Sequence, residues 1–247
     1  MVLRDVTVLY KQSILGIAWA FINPVFSMIV FTVVFSRLAN IPSDGIPYPL
    51  FAYAGVVPWT YFASSLNASG NSLVANSAIF TKVYFQRIFI PITPIISKLL
   101  DLFISLVFLA GLMIYYQIVP TPKLLLFPVL LIVLVLFSAG IGMWLSALAI
   151  QYRDVKFAIT FMTPLLMYAA PVVFPASLIF QKLGSAWYLV YGLYPMTGII
   201  ETLRAIIVPG KSIPFELLGM SILGTVIFFT IGLLVFKKME AHFADVA

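Results

Sequence analysis

Leu3–Pro24, LRDVTVLYKQSILGIAWAFINP, is the stretch from which the fold reads. At about 100° per residue, Leu3, Val6, Leu9 and Tyr10 share one face of a helix, and Arg4 and Lys11 share another. Only Val8 breaks the pattern, which is that of a helix lying on a membrane surface. From Ile14 the charges stop and an apolar run continues to near Arg37, longer than the ~20 residues that a bilayer crossing needs. The chain is therefore expected to start on the cytoplasmic surface and then to cross.

Composition extends this reading to the whole chain. The 247 residues are 63% hydrophobic and 9% charged, where soluble domains run near ~45–50% apolar and ~25% charged. Apolar surface on that scale has no soluble fold to hide it. The apolar runs are continuous, unlike the short alternating strands of a barrel, so the expectation is an all-α integral membrane protein. The net charge of +6 is spread over the loops. It reads as a topology signal rather than a nucleic-acid patch. With no cysteine, disulfides and thiol chemistry are excluded. The first apolar run is too long for a cleavable signal peptide and is expected to serve as its own insertion signal.

Taken in order, the runs predict six crossings. The first ends near Arg37, and Leu38–Pro49 (LANIPSDGIPYP) is a Pro/Gly outside loop. The second, about Leu50–Leu66, holds Pro58-Trp59; a polar passage, Asn67–Ser77, and the segment Ile79–Arg87 (IFTKVYFQR) then stay cytoplasmic. The third runs about Ile95–Ile118, the fourth about Leu124–Ile150, the fifth about Phe157–Phe174 with Pro164 and Pro171 bending it, and the last about Leu217–Phe236. Between the last two lies Pro175–Pro214, whose apolar part Trp187–Val208 is interrupted by Gly192, Pro195, Gly198, Glu201 and Arg204. If that part spans, there are seven crossings; if it dips and returns, there are six, and both termini are cytoplasmic. The six-crossing reading puts nine of the fourteen cationic residues inside, which favours it. The chain is then a single transmembrane domain, 1–247. Residues 1–13 form an amphipathic interface helix, 14–174 the first five spans, 175–214 an outer re-entrant gate region, and 215–247 the sixth span and tail.

Few residues carry chemistry. Ala205–Ser212 (AIIVPGKS) has the letters of a relaxed phosphate-binding loop but follows helical residues, precedes Pro214 and faces away from cytoplasmic ATP. His242, the only histidine, lies in the tail, and no nucleophile–histidine pairing or metal cluster is apparent. Lys98 and Asp101 make an i,i+3 pair at the start of the third span, and Glu201 and Arg204 another in the re-entrant part. The second pair reads either as a partly desolvated clamp on a gate helix or as a plain interfacial pair. So few buried charges argue against a proton-coupled carrier, and the lack of paired carboxylates argues against an enzyme acting on lipid-linked sugars. Trp59, Tyr61, Phe62, Trp187, Tyr188, Tyr191 and Tyr194 are expected near the outer surface. They read as an interface belt or, for Trp59, Tyr61, Phe62, Trp187 and Tyr191, as stacking rings along a path for sugars.

Several stretches together resemble the membrane subunit of type-2 ABC exporters for polysaccharides. They are YKQSILGIAWAFINP (Tyr10–Pro24), FTVVFSRL (Phe31–Leu38), FAYAGVVPWTYFASSL (Phe51–Leu66), NSAIFTKVYFQRIFIPI (Asn76–Ile92), YRDVKF (Tyr152–Phe157), APVVFP (Ala170–Pro175) and LYPMTGIIETLRAII (Leu193–Ile207). The resemblance implies a homodimer in the bacterial inner membrane, joined to two copies of a separate ATPase subunit. That subunit would bind ATP and magnesium, leaving this chain no cofactor of its own. The implied cargo is a lipid-linked polysaccharide such as O-antigen, with teichoic acid, another lipid or a drug as alternatives. By the same resemblance Arg4, Asp5, Lys11, Phe80, Lys82, Tyr84 and Arg87 would rest against the ATPase, and Tyr194, Pro195, Glu201 and Arg204 would form the outer gate.

Overall fold

A computed structural model describes residues 2, 18–76, 86–119, 121–240 and 243. Among them every regular element is a helix. The surface helix expected at Leu3–Lys11 and the segment holding Phe80, Lys82 and Tyr84 lie outside the described residues. In chain order the helices are α1 (Trp19–Phe31), α2 (Tyr48–Ala75), α3 (Phe89–Ser97), α4 (Leu99–Tyr115), α5 (Phe127–Gln151), α6 (Asp154–Ala169), α7 (Ser177–Leu183), α8 (Ser185–Gly192), α9 (Pro195–Ile207) and α10 (Phe215–Glu240). A wider π-helical segment, Thr32–Leu38, prolongs α1, and a 3₁₀ turn, Pro122–Leu126, leads into α5.

Among the described residues four stretches are long and apolar enough to cross a membrane: Trp19–Leu38, Phe89–Tyr115, Pro122–Gln151 and Phe215–Glu240. They coincide with the first, third, fourth and last runs read from the sequence. Their bounds shift where local chemistry decides. The third begins at Phe89 rather than Ile95, because Pro94 is accommodated inside α3 and the helical path breaks only at Lys98. Lys98 there pairs with Asp101 at 2.9 Å. The fifth run ends early, at Ala169, with Pro164 inside the helix and residues 170–176 left as a loop.

The second run differs most. It does not stop at Leu66: α2 is one helix of 28 residues, continuous through the Asn/Ser-rich passage to Ala75. The polar side chains close on the helix itself. The amides of Asn67 and Asn71 donate to the carbonyls of Ala63 and Asn67, each at 2.8 Å. Ser72 Oγ donates to Ser69 O at 2.6 Å, and Ser69 Oγ reaches across to Pro91 O at 2.7 Å. Bonded in this way they interrupt neither the backbone ladder nor the packing.

α2 is the axis of the bundle and touches α1, α3, α4, α5, α6 and α9. Phe62 stacks on Phe137 of α5 at 4.8 Å, and Phe137 meets Phe228 of α10 edge-on at 5.6 Å. α5 is therefore held between α2 and α10. Both contacts are close: a Cβ on Gly142 would strike the side chain of Ser69, and one on Gly232 would strike the backbone carbonyl of Gly140. Small residues at such crossings are how helices pack where lipid removes the hydrophobic drive. A second cluster, Leu73, Ile90, Met143, Ala147, Phe236 and Phe243, closes the end of the bundle where α10 finishes.

Candidate functional site

The opposite end is organised by α9, all thirteen residues of which are buried. The single stretch expected at Trp187–Val208 is two helices, α8 of 8 residues and α9 of 13, parted at Leu193-Tyr194. Neither reaches across a hydrocarbon core of ~30 Å, since even thirteen residues rise only ~20 Å. Pro195 starts α9 at a position where its missing N–H costs nothing. Gly198 N–H donates to Ser221 Oγ of α10 at 3.0 Å, and Ser221 Oγ in turn donates to Gly192 O at 2.9 Å. Gly224 admits the carbonyl of Leu193, because a Cβ there would collide with it. The α8–α9 turn is thus stapled to α10, and Tyr194 Oη donates to Leu166 O of α6 at 3.3 Å.

On α9 the expected pair is present and fully enclosed. Arg204 Nη1 lies 2.9 Å from Glu201 Oε1, the side chains being 0% and 5% exposed. Burial on that scale removes the plain interfacial alternative. Arg204 also donates from Nη2 to Val172 O at 2.7 Å, from Nη1 to Phe174 O at 3.4 Å, and from Nε and Nη2 to Phe51 O at 3.3 Å. Its guanidinium carbon lies 3.5 Å from the centroid of the Phe51 ring. Room for it exists because residue 55 is glycine: a Cβ there would sit 2.9 Å from Nη2 and from Val172 O.

These donors face backbone that helices leave unserved. Residues 170–176 are irregular, and at this depth their carbonyls have no water to turn to. Arg204 takes Val172 O and Phe174 O, Tyr48 Oη takes Val173 O at 2.7 Å, and Glu201 Oε1 accepts the N–H of Ala176 at 3.1 Å. Glu201 Oε2 is met by Lys211 Nζ at 3.2 Å, and that amine also holds Asp44 Oδ2 at 2.7 Å. Ser177 Oγ donates to Asp44 Oδ1 at 3.4 Å. Lys123 Nζ caps the carbonyl of Lys211, and Thr121 Oγ1 donates to Ile206 O at 2.9 Å. Two acids and two bases, Asp44–Lys211–Glu201–Arg204, so form a neutral chain of charges. It ties α9 to the loops at 39–47, 170–176 and 208–214. A buried charge is tolerated on these terms, paired and with its remaining donors satisfied.

Asp44 and Lys211 were not singled out by sequence reading as members of this site. Lys211 entered only through the phosphate-loop lettering, and the structure gives that stretch another role. It follows a helix rather than a strand, Gly210 turns at φ 80°, and the amine is committed to carboxylates. The available signal was charge balance: two acids and two cations with no closer partners at one end of the bundle.

The expected sugar-path aromatics separate into two groups. Trp59, Tyr61 and Phe62 are 5%, 2% and 0% exposed and lie in the core, not near a surface. They face inward because α2 is surrounded. Trp59 packs on Phe62 at 5.5 Å, and Tyr61 Oη donates to Ile95 O at 3.1 Å. Trp187 is 61% exposed, and Tyr191 is half-buried. At the far end Arg87 Nη1 donates to Glu240 O at 2.7 Å, placing a cation at the C-terminus of α10, where the helix dipole favours one.

Residues 1–208 match the family model described as "ABC-2 type transporter". A curated relative from Myxococcus xanthus, named O-antigen export system permease protein RfbA, is 28% identical over 208 residues, covering 83% of this chain and 78% of its own. A protein of the same name from Klebsiella pneumoniae is 26% identical over 244 residues, 98% of this chain and 92% of its own. The polysialic acid transport protein KpsM of Escherichia coli is 24% identical over 248 residues, 96% and 91%. With four membrane-length apolar stretches among its described residues and a family model matched over residues 1–208, the chain belongs to the ABC-2 type transporter family.

Proposed function

We propose that this chain is the channel-forming subunit of an ATP-driven exporter that moves lipid-linked, O-antigen-like polysaccharide across the bacterial inner membrane. The observation carrying this reading is likeness along almost the whole length to permeases named for two polysaccharides, O-antigen and polysialic acid. Two copies of the chain would join two copies of a separate ATPase, which holds ATP and magnesium. Six crossings follow if α2 and α6 join the four apolar stretches. α2 supplies the length, and α6 adds sixteen residues with an exposed face that includes Phe157, Phe161 and Leu165. In this reading α7–α9 is the re-entrant outer element, both termini are cytoplasmic, and Tyr194, Pro195, Glu201 and Arg204 hold the gate shut.

Arg4, Asp5, Lys11, Phe80, Lys82, Tyr84 and Arg87 would carry the ATPase's closure to the bundle. Arg87 has a physical route for this. It grips the end of α10, and the same helix holds the α8–α9 turn through Ser221 some 19 residues away. Movement of one end of a stiff helix is felt at the other. The test is complementation: co-expression with its ATPase in cells lacking their own O-antigen permease. Restored polysaccharide at the cell surface supports the reading, and accumulation of lipid-linked polysaccharide inside refutes it.

A further inference from the structure

One face of α2 does not belong to the core. Beyond Pro58, Thr60, Ala63, Ser64, Asn67, Ala68, Asn71 and Val74 are only half-buried and Ala75 is exposed, a helical face with 3–4 residue spacing. No side chain on it is larger than Asn or Val, in a chain 63% hydrophobic. Elsewhere the uncovered positions are bulky and apolar: Val107 is 74% exposed, Leu125 85% and Phe157 76%. Those suit lipid tails and the α2 face does not.

Its neighbours belong to membrane-length stretches. Tyr61 bonds to Ile95, and Ser69 bonds to Pro91 and abuts Gly142. All three partners lie inside stretches of membrane-crossing length. The amides of Asn67 and Asn71 each spend an N–H on their own helix, and among the described residues their Oδ1 atoms have no hydrogen-bond partner. Acceptors beside such stretches need water or a polar ligand.

We infer that Thr60, Ser64, Asn67 and Asn71 line the wetted path and offer hydrogen bonds to the hydroxyls of a passing neutral sugar chain, an inference that rests on the proposed export function. Neutral amides and hydroxyls suit this occupant. Each bond is modest and replaceable by water, so a polymer can advance without being trapped. The ladder rises ~16 Å from Thr60 to Asn71, enough to engage successive sugars.

The native chain has no cysteine, so single cysteines report cleanly. They are placed at 60, 64, 67 and 71, with controls at Val107 and Leu223, in the complex assembled with its ATPase in inner-membrane vesicles. The probe is a negatively charged methanethiosulfonate. Reaction at the four ladder positions and not at the controls is expected. The paired change Asn67→Leu/Asn71→Leu is expected to lower export about tenfold through two lost hydrogen bonds, with ATPase co-purification unchanged. Asn67→Ser/Asn71→Ser keeps export near the native level. Protected cysteines overturn the inference, as do spontaneous disulfides joining two copies along the ladder, which mark a helix–helix contact. Native export from the Leu pair overturns it too. A native chain that restores no export overturns the proposed function, and the sugar occupant with it.

Discussion

Arg204 concentrates the energetics of the site in one side chain. It serves Glu201, three loop and helix carbonyls and the Phe51 ring with no exposure to water. Arg204→Met keeps much of the volume but strips Glu201 of its buried cation, leaving it Lys211 and the Ala176 N–H, and strands the 172 and 174 carbonyls. The expected loss is about 3–5 kcal/mol, read as a lowered unfolding midpoint in detergent and weak surface export. Adding Glu201→Leu to Arg204→Met removes the acid that has lost its buried partner and should restore part of the midpoint; a further drop equal to the first would show that the two do not act as a pair. Lys211 is about one-fifth exposed. For Lys211→Ala solvent screening limits the loss to about 1 kcal/mol, and ATP hydrolysis by the assembled complex should be untouched. Loss of hydrolysis would restore the phosphate-loop reading. The pair on α9 was legible in the sequence because i,i+3 spacing puts both charges on one side of any helix. Its extension was not. Asp44 lies 167 positions from Lys211, and only the fold brings them together.

Among the elements, those read correctly were the ones whose hydropathy alone decides. Pro122–Gln151, whose most apolar 18 residues have mean hydropathy 2.9, could be little else. The extension of α2 past Leu66 escaped because its Asn and Ser residues look like loop chemistry until the Asn bonds to i−4 carbonyls and the Ser72 bond to i−3 are seen. The aromatics of α2 were misplaced for a related reason: a helix surrounded on nearly all sides buries rings that would otherwise mark an interface. The α5–α10 crossing gives a sharp element-level prediction. Gly232→Ala puts a methyl group against the Gly140 carbonyl, and the two helices must separate. A cost of about 1–3 kcal/mol is expected from overpacking. Gly219 lies in the same helix with nothing within 4 Å of an added Cβ. Gly219→Ala should instead stabilise by about 0.5–1 kcal/mol through helix propensity. Paired unfolding midpoints decide the matter, because equal shifts in one direction would deny the close crossing.

For the whole molecule, the sidedness of the bundle is the statement on which the gate and coupling proposals depend. α10 separates two ends. One carries Arg87 and Glu240; the other carries the loops tied by Asp44, Lys211 and Arg204. α7, with Lys182, follows directly from the 170–176 loop and therefore belongs to the second end. In the proposed topology the first end, with Arg87, Arg153, Lys156, Lys237 and Lys238 near it, is the cytoplasmic one, as the positive-inside tendency expects. Single cysteines at 182 and 240, treated in intact cells with a membrane-impermeant thiol reagent, should label at 182 and stay protected at 240 until the membrane is opened. Labelling at 240 in intact cells would require an odd number of crossings from a cytoplasmic start. It would also place the charge-tied loops on the ATPase side and so remove the outer gate. Equal labelling at both positions would contradict the separation of the two ends itself, since a 26-residue helix rises ~39 Å and spans the hydrocarbon core.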